Sequence, residues 1–135
     1  MIPRSDFVVG GDSGQIAYFQ LDTRGSHSST LFGADNSSSI QDIAYYGHMD
    51  VLAVNTSGQL LRTDLRSKDK VLPHSSFSLS SRGGVALTSL AVYPAQQHVV
   101  ATGSRDGRLT FLDLRYLKEQ CPLADVPAHN GCVWK

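Results

Sequence analysis

Three residues near the end of the sequence, Cys121, His129 and Cys132, are of the types that coordinate zinc. Zinc sites in proteins have four ligands, which usually come as close pairs of cysteines or histidines. Here there are three candidates with loose spacing, so the sequence predicts no metal site. We expect instead that His129 forms a hydrogen bond within a β-sheet and that Cys132 is a small core residue.

Ser13 lies in the tetrapeptide GDSG (residues 11–14), which surrounds the nucleophile of chymotrypsin-like proteases. A serine nucleophile needs a histidine base, an aspartate that orients the histidine, and an oxyanion hole. In those proteases the histidine and the aspartate precede the serine, whereas only ten residues precede this motif. We therefore expect a hairpin turn and no catalytic residue. The sequence also has no glycine-rich phosphate-binding motif, and no pair of titratable residues has a spacing that suggests general acid–base catalysis, so we expect no cofactor, no small-molecule substrate and no enzymatic activity.

Two Asp-Leu-Arg triplets place an acid and a base two residues apart, Asp64 with Arg66 and Asp113 with Arg115. In an extended segment, residues i and i+2 project from the same face, so the two side chains of each pair should lie side by side. Such a pair can present charge to a protein partner. Alternatively, the aspartate caps a turn and the arginine completes an exposed ion pair worth only about 0–1 kcal/mol. These four residues are the candidate partner-binding residues.

The composition limits the classes of partner. Lysine and arginine number 12, and aspartate and glutamate number 12, so the formal net charge of the 135 residues is zero. A neutral chain gives no electrostatic reason to expect direct binding to nucleic acid. The apolar runs are shorter than the roughly 18 residues that a membrane-spanning helix needs, so we expect no membrane insertion. The expected partners are therefore proteins.

A pattern of an apolar strand, a small polar turn ending in glycine, and a second apolar strand occurs three times. The turn glycines are Gly14, Gly58 and Gly107, so the periods are 58 − 14 = 44 and 107 − 58 = 49 residues. Asp106 precedes the last of these glycines, and Asp-Gly is a strong hairpin signal. A period in the forties with short strands is typical of blades of a WD-repeat β-propeller.

We therefore predict an all-β chain that contains about three divergent blades of a longer propeller. In the first repeat we expect two strands, at 7–9 and 15–21, and then a connection at 22–39. In the second repeat we expect strands at 41–45, 51–55, 59–64 and about 76–79, and in the third at 87–93, 98–102 and 109–114. The predicted parts are a blade remnant at about 7–22, a blade at about 40–80, a blade at about 86–127, and the start of a next blade at 128–135.

The strand predicted at 109–114 shows why blades must stack. Leu109 and Phe111 point to one face, and Leu112 and Leu114 point to the other. A strand with large apolar residues on both faces must be covered on both sides, which neighbouring blades do. In an intact propeller we therefore expect Phe111→Ala to cost about 3–5 kcal/mol.

The repeat endings resemble WD repeats, although the characteristic tryptophan is replaced by Phe19, Thr63 and Leu112. Residues 40–135 resemble more closely the small WD-repeat nucleoporins of the Y-shaped outer-ring complex of the nuclear pore. The resemblance is carried by NTSGQL at 55–60, TDLR at 63–66 and PAQQHVVATG at 94–103.

The resemblance implies a non-catalytic scaffold subunit that binds other nucleoporins of the Y-shaped complex. Its implied role is to support pore assembly and the nucleocytoplasmic transport of protein and mRNA. The implied location is the nuclear pore complex in the nucleus, and the kinetochore in mitosis. An alternative is a substrate receptor of a cullin-RING ubiquitin ligase, because some WD-repeat proteins bind the ligase adaptor through successive Trp-Asp-x-Arg endings. Arg66 and Arg115 would carry that binding here.

Overall fold

The computed structural model describes residues 6–21, 27–32, 38–47, 49–66, 74–78, 85–96, 98–115 and 124–132. These residues form eleven strands in three antiparallel sheets, and none of them lies in an α-helix. In the same part of the chain, no helix is long and apolar enough to cross a membrane. The predicted all-β, blade-like architecture is confirmed.

The first sheet has three strands in the order β1-β2-β3, which are Asp6–Gly10, Ile16–Leu21 and His27–Phe32. The prediction of a connection at 22–39 was wrong, because β3 lies within that range. The sequence of β3, HSSTLF, is rich in serine and threonine and therefore reads as a loop. It forms a strand because its backbone pairs along β2, and Phe32 lies opposite Ile16, where both side chains are buried.

The middle and last sheets each have four strands. The middle sheet has the order β4-β5-β6-β7, which are Ile40–Tyr46, Asp50–Asn55, Gln59–Asp64 and His74–Ser78. The last sheet has the order β8-β9-β10-β11, which are Leu87–Val92, Val99–Ser104, Arg108–Asp113 and Ala124–Pro127.

The first three strands of each of these sheets were predicted to within one or two residues. The outer strand β7 was predicted near 76–79, and the outer strand β11 was not predicted.

One hairpin turn recurs in all three sheets. The glycines Gly14, Gly58 and Gly107 have φ values of 82°, 79° and 87°. Each glycine N–H donates to the carbonyl three residues earlier at 3.2 Å. A residue with a Cβ is strained at such positive φ, which is why glycine recurs with the blade period.

Two apolar layers hold the three sheets together, one on each face of the middle sheet. In β5, Val51 and Ala53 face the first sheet, whereas Leu52 and Val54 face the last sheet. This explains the nearly continuous apolar run of that strand. The first layer also buries Ile16, Tyr18, Phe32, Leu61 and Leu65. The second also buries Leu60, Leu87, Leu90, Val100 and Leu112.

A carboxylate links the middle sheet to the last sheet. Asp42 lies in β4 at a break in register that begins at Ile40, and β8 has the same break at the equivalent position. The Asp42 Oδ1 accepts the N–H of Ile43 and the Oδ2 accepts the N–H of Leu90, each at 2.9 Å. The bulge therefore orients the Asp42 side chain so that it forms a hydrogen bond with the backbone of the neighbouring sheet.

The first and last sheets each have an outer face that no described residue covers. On the last sheet, Leu112 is 4% exposed whereas its neighbour Phe111 is 36% exposed. No described residue packs on Phe111 as a further sheet, so the prediction that neighbouring blades cover both faces of this strand in an intact propeller stays a prediction. Residues 128–132 form no strand, and residues 133–135 lie outside the described residues. Among the residues that the structure describes, the other exposed large apolar side chains are Phe7, Val9, Leu21, Leu31, Tyr93 and Val126.

Candidate partner-binding surface

The two Asp-Leu-Arg triplets occupy equivalent positions in adjacent sheets. Asp64 is the last residue of β6, and Asp113 is the last residue of β10. After each strand the backbone turns and is tied to the hairpin between the first two strands of its sheet. Leu65 N donates to Met49 O at 2.8 Å, and Leu114 N donates to His98 O at 2.7 Å. We call Asp64, Arg66, Asp113 and Arg115 the Asp–Arg rim; it lies at the opposite end of the strands from the glycine turns.

In the last sheet the acid and the base are held tightly. Asp113 Oδ1 accepts the backbone N–H of Arg115 at 2.9 Å and its Nε at 3.1 Å, while Oδ2 accepts Nη2 at 2.8 Å. These bonds from Arg115 lower the pKa of Asp113 to about 2. The aspartate side chain is 8% exposed and the arginine side chain 58%. A forked contact of this kind fixes the orientation of the guanidinium.

In the middle sheet the equivalent pair is looser. Asp64 Oδ1 accepts the backbone N–H of Arg66 at 2.9 Å, but its contact with Arg66 Nε is 3.4 Å long. The backbone hydrogen bond lowers the pKa of Asp64 below its ordinary value. The two side chains are 47% and 69% exposed, so water screens their attraction. Arg66 is therefore the rim arginine whose guanidinium is more available to a partner.

A third arginine, Arg62, lies beside the rim and was missed by the sequence analysis. Asp50 lies directly opposite Asp64 across the β5–β6 ladder, where two like charges repel. Arg62 relieves this repulsion, because its Nη2 is 3.1 Å from Asp50 Oδ2 and its guanidinium lies 4.9 Å from the centroid of the Tyr46 ring. Its position two residues before Asp64, on the same face of the strand, was the signal that could have found it.

The residues that suggested a protease form a turn. Gly11 N donates to Gln15 O at 2.8 Å and Gly14 N donates to Gly11 O at 3.2 Å, which closes the hairpin between β1 and β2. Ser13 is exposed at the tip of this turn. The expected hairpin is confirmed.

The described structure does not bring the candidate zinc ligands together into a metal site. The backbone N–H of His129 donates to the carbonyl of Gly107 at 3.0 Å, but its side chain is exposed rather than placed within a sheet. Cys132 is half-buried and forms no disulfide, and Cys121 lies outside the described residues. Across the described residues, no group of three or more His, Cys, Asp or Glu could hold a metal ion.

Comparison with known proteins places the chain beside a nucleoporin. Over 132 residues, or 96% of its length, the chain is 32% identical to nucleoporin Nup43 of Homo sapiens and 31% identical to Nup43 of Mus musculus. The match covers 33% of either nucleoporin, so the chain spans about a third of the length of these curated relatives. A scan against protein-family models finds no match. The predicted resemblance to a nucleoporin of the Nup43 type is confirmed, and it favours the nucleoporin over the ligase receptor.

Two shorter similarities involve an enzyme. The chain is 35% identical to diphthine methyltransferase of Homo sapiens over 71 residues, and 39% identical to that of Mus musculus over 56 residues. These matches cover about half of this chain or less, and only 15% and 11% of the enzymes. A match to so small a part of an enzyme gives no reason to assign its activity to this chain.

Proposed function

We propose that this chain is part of a non-catalytic scaffold subunit of the nuclear pore outer ring. In this role the subunit binds other nucleoporins, and so supports pore assembly and the transport of protein and mRNA. The observation that carries the proposal is the similarity to Nup43 along 96% of the chain. Nothing in the structure or the comparisons supports the kinetochore location, and we do not propose it.

The architecture suits a scaffold because stacked blades form a rigid body with binding surfaces at both ends of the strands. We treat the three sheets as three successive blades. The two apolar layers and the Asp42 bridge fix these blades relative to one another. The Tyr18 hydroxyl, whose pKa is shifted strongly, takes part in packing and pairing. Burial and the neighbouring Asp6 raise its pKa to about 12, and the hydroxyl donates to Asp6 Oδ2 at 2.7 Å.

The Asp–Arg rim is the surface that we propose for contact with a protein partner. It presents two arginine side chains, each more than half exposed, at equivalent places on adjacent blades. Arginine is enriched at the energetically dominant positions of interfaces, because it combines charge with a planar set of donors. The partner contact should depend more on Arg66 than on Arg115, whose donors Asp113 already occupies.

The location of the protein in cells tests the scaffold proposal. The full-length protein, fluorescently tagged at its own gene, should form a punctate ring at the nuclear envelope that exchanges slowly after photobleaching. A diffuse signal, or a ring that recovers as fast as a freely diffusing protein, would contradict the proposal.

The rim proposal needs its own variant. Arg66→Ala with Arg115→Ala, compared with the exposed control Asp12→Ala, should leave the circular dichroism spectrum unchanged and reduce recovery of one co-purifying protein. If recovery of every partner is unchanged, the rim is not a contact. Loss of a ligase adaptor, rather than of a nucleoporin, would instead favour the cullin-RING alternative.

A further inference from the structure

Asn130 and Gly131 form an exposed Asn-Gly pair in the segment that follows β11. The backbone nitrogen after an asparagine can attack the side-chain amide of that asparagine. A following glycine favours the attack, because it has no Cβ to block the approach and its backbone adopts more conformations. The sequence has one Asn-Gly pair, at 130–131, and one Asp-Gly pair, at 106–107, where the same attack is possible. The two pairs lie in different environments.

The reacting groups of the Asn-Gly pair are unrestrained. Among the described residues, the side chain of Asn130 and the N–H of Gly131 have no hydrogen-bond partner. A Cβ built on Gly131 would have no atom within 4 Å, so the space beside the attacking nitrogen is open. Gly131 is also not among the described glycines with positive φ, so no turn fixes its backbone in that conformation.

The reacting groups of the Asp-Gly pair are held by the hairpin turn. The carboxylate of Asp106 accepts a hydrogen bond from the hydroxyl of Ser104 through Oδ1. The attacking nitrogen, Gly107 N, donates to the carbonyl of Ser104 at 3.2 Å, and its φ is 87°. Reaction at this pair therefore requires the turn to open first.

Asn55 is the other asparagine that the structure describes, and it is also restrained. Its side chain is buried, and its Oδ1 accepts the N–H groups of Ser57 and Gln59, each at 3.0 Å. The nitrogen that would attack it, Thr56 N, donates to Ser39 O at 3.0 Å. Of these three sites, only Asn130 combines a free side chain with a free nitrogen.

We propose that Asn130 is a site of spontaneous covalent modification, which is independent of the proposed function. Gly131 N attacks Asn130 Cγ and closes a succinimide ring. The Cγ–Nδ2 bond breaks, and ammonia leaves with the proton of the Gly131 amide. Water then opens the ring at either carbonyl carbon. Cleavage at Cγ leaves aspartate, whereas cleavage at the backbone carbonyl carbon of residue 130 leaves isoaspartate, whose backbone is longer by one methylene.

The product changes the segment that covers the last glycine turn. The N–H groups of Ala128 and His129 both donate to the carbonyl of Gly107. A Cβ on Gly107 would overlap the carbonyl oxygens of His129 and Gly131, so these oxygens lie against the turn. The methylene of isoaspartate moves the Gly131 carbonyl relative to Gly107, and the new carboxylate adds a negative charge to this end of the sheet.

The test follows the modification in the folded and the unfolded protein. Purified full-length protein is incubated at mildly alkaline pH with and without urea, digested, and mapped by mass spectrometry. A methyltransferase specific for isoaspartyl carboxyl groups labels the isoaspartate. The rate at Asn130 in the folded protein should be within about threefold of the rate in urea, because no bond must open. Isoaspartate formation at Asp106 should be at least about tenfold slower in the folded protein than in urea.

Gly131→Ala is the matched variant. The added Cβ meets no atom, so the circular dichroism spectrum should be unchanged. The same Cβ hinders the attack by the nitrogen of residue 131, so modification of Asn130 should be at least about tenfold slower.

Three results would overturn the inference. One is the absence of modification at Asn130 in the folded protein when it occurs in urea. Another is an equal rate in Gly131→Ala and the parent protein, which would mean that water hydrolyses the amide directly. The third is modification of Asp106 as fast as that of Asn130 in the folded protein. None of these results depends on the nuclear pore, so the localisation experiment can fail while this inference stands.

Discussion

The middle and last sheets share their strand order, their glycine turn and their Asp-Leu-Arg ending, but they differ in what covers them. Leu52, Val54 and Leu60 of the middle sheet are fully buried because the last sheet packs on them. The equivalent face of the last sheet carries Leu109 and Phe111, and no described residue packs on it as a further sheet. The difference shows that the burial of an apolar side chain depends first on whether a neighbouring blade covers its face of the sheet, and only then on the residue type.

The largest expected effect on stability is the difference between substitutions on the two faces of β10. Leu112→Ala should lower the free energy of unfolding by about 2–5 kcal/mol, because it opens a cavity in the second apolar layer. Phe111→Ala, its neighbour on the exposed face, should cost about 1 kcal/mol in this chain. Urea unfolding monitored by circular dichroism measures both. Equal losses for the two variants would mean that the outer face is covered after all.

Gly107 in the last sheet and Gly47 in the middle sheet both have positive φ, so alanine substitutions at the two positions can be compared. Gly107→Ala should cost about 2 kcal/mol or more, because positive φ strains an alanine and its Cβ would overlap the backbone carbonyl oxygen of His129. Gly47→Ala has the same strain but nothing within 4 Å of the added Cβ, so it should cost only about 1 kcal/mol. Thermal unfolding of the two variants checks this order, and a reversed order would show that residues 128–132 do not lie against the turn.

The Asp42 bridge is the polar part of the contact between the middle and last sheets. Asp42→Ala should cost about 1–3 kcal/mol, because it leaves the N–H of Leu90 without its acceptor. The exposed Asp12→Ala is the control and should change stability by less than about 0.5 kcal/mol. Denaturant unfolding gives both values. If the two variants are indistinguishable, water replaces the carboxylate without loss.

The smallest expected effect is on the pH dependence of stability, and it compares the two rim acids, Asp113 and Asp64. Arg115 lowers the folded pKa of Asp113 from 3.8 to about 2, so the ionised form stabilises the fold above about pH 4. That stability is lost as the pH falls from about 4 to 2. Asp113→Asn should flatten this part of the profile of urea midpoint against pH, and Asp64→Asn should flatten it less because Asp64 is exposed. A profile unchanged by Asp113→Asn would contradict the pairing.

The inner strands could be predicted from the sequence because they combine apolar residues with a glycine turn at a fixed period. The outer strands β3 and β11 could not, since HSSTLF and ADVP have few apolar residues and are held by pairing along one edge. The Asp–Arg pairs could be predicted from their i, i+2 spacing. The Asp42 bridge could not, because it joins residues 48 positions apart and depends on a bulge.

Affinity purification of the tagged full-length protein, followed by mass spectrometry, tests the central claim most directly. We predict recovery of outer-ring nucleoporins in near-stoichiometric amounts, because a scaffold subunit is a fixed member of its assembly. Recovery of a ligase adaptor without nucleoporins, or of no nucleoporin at all, would contradict the account.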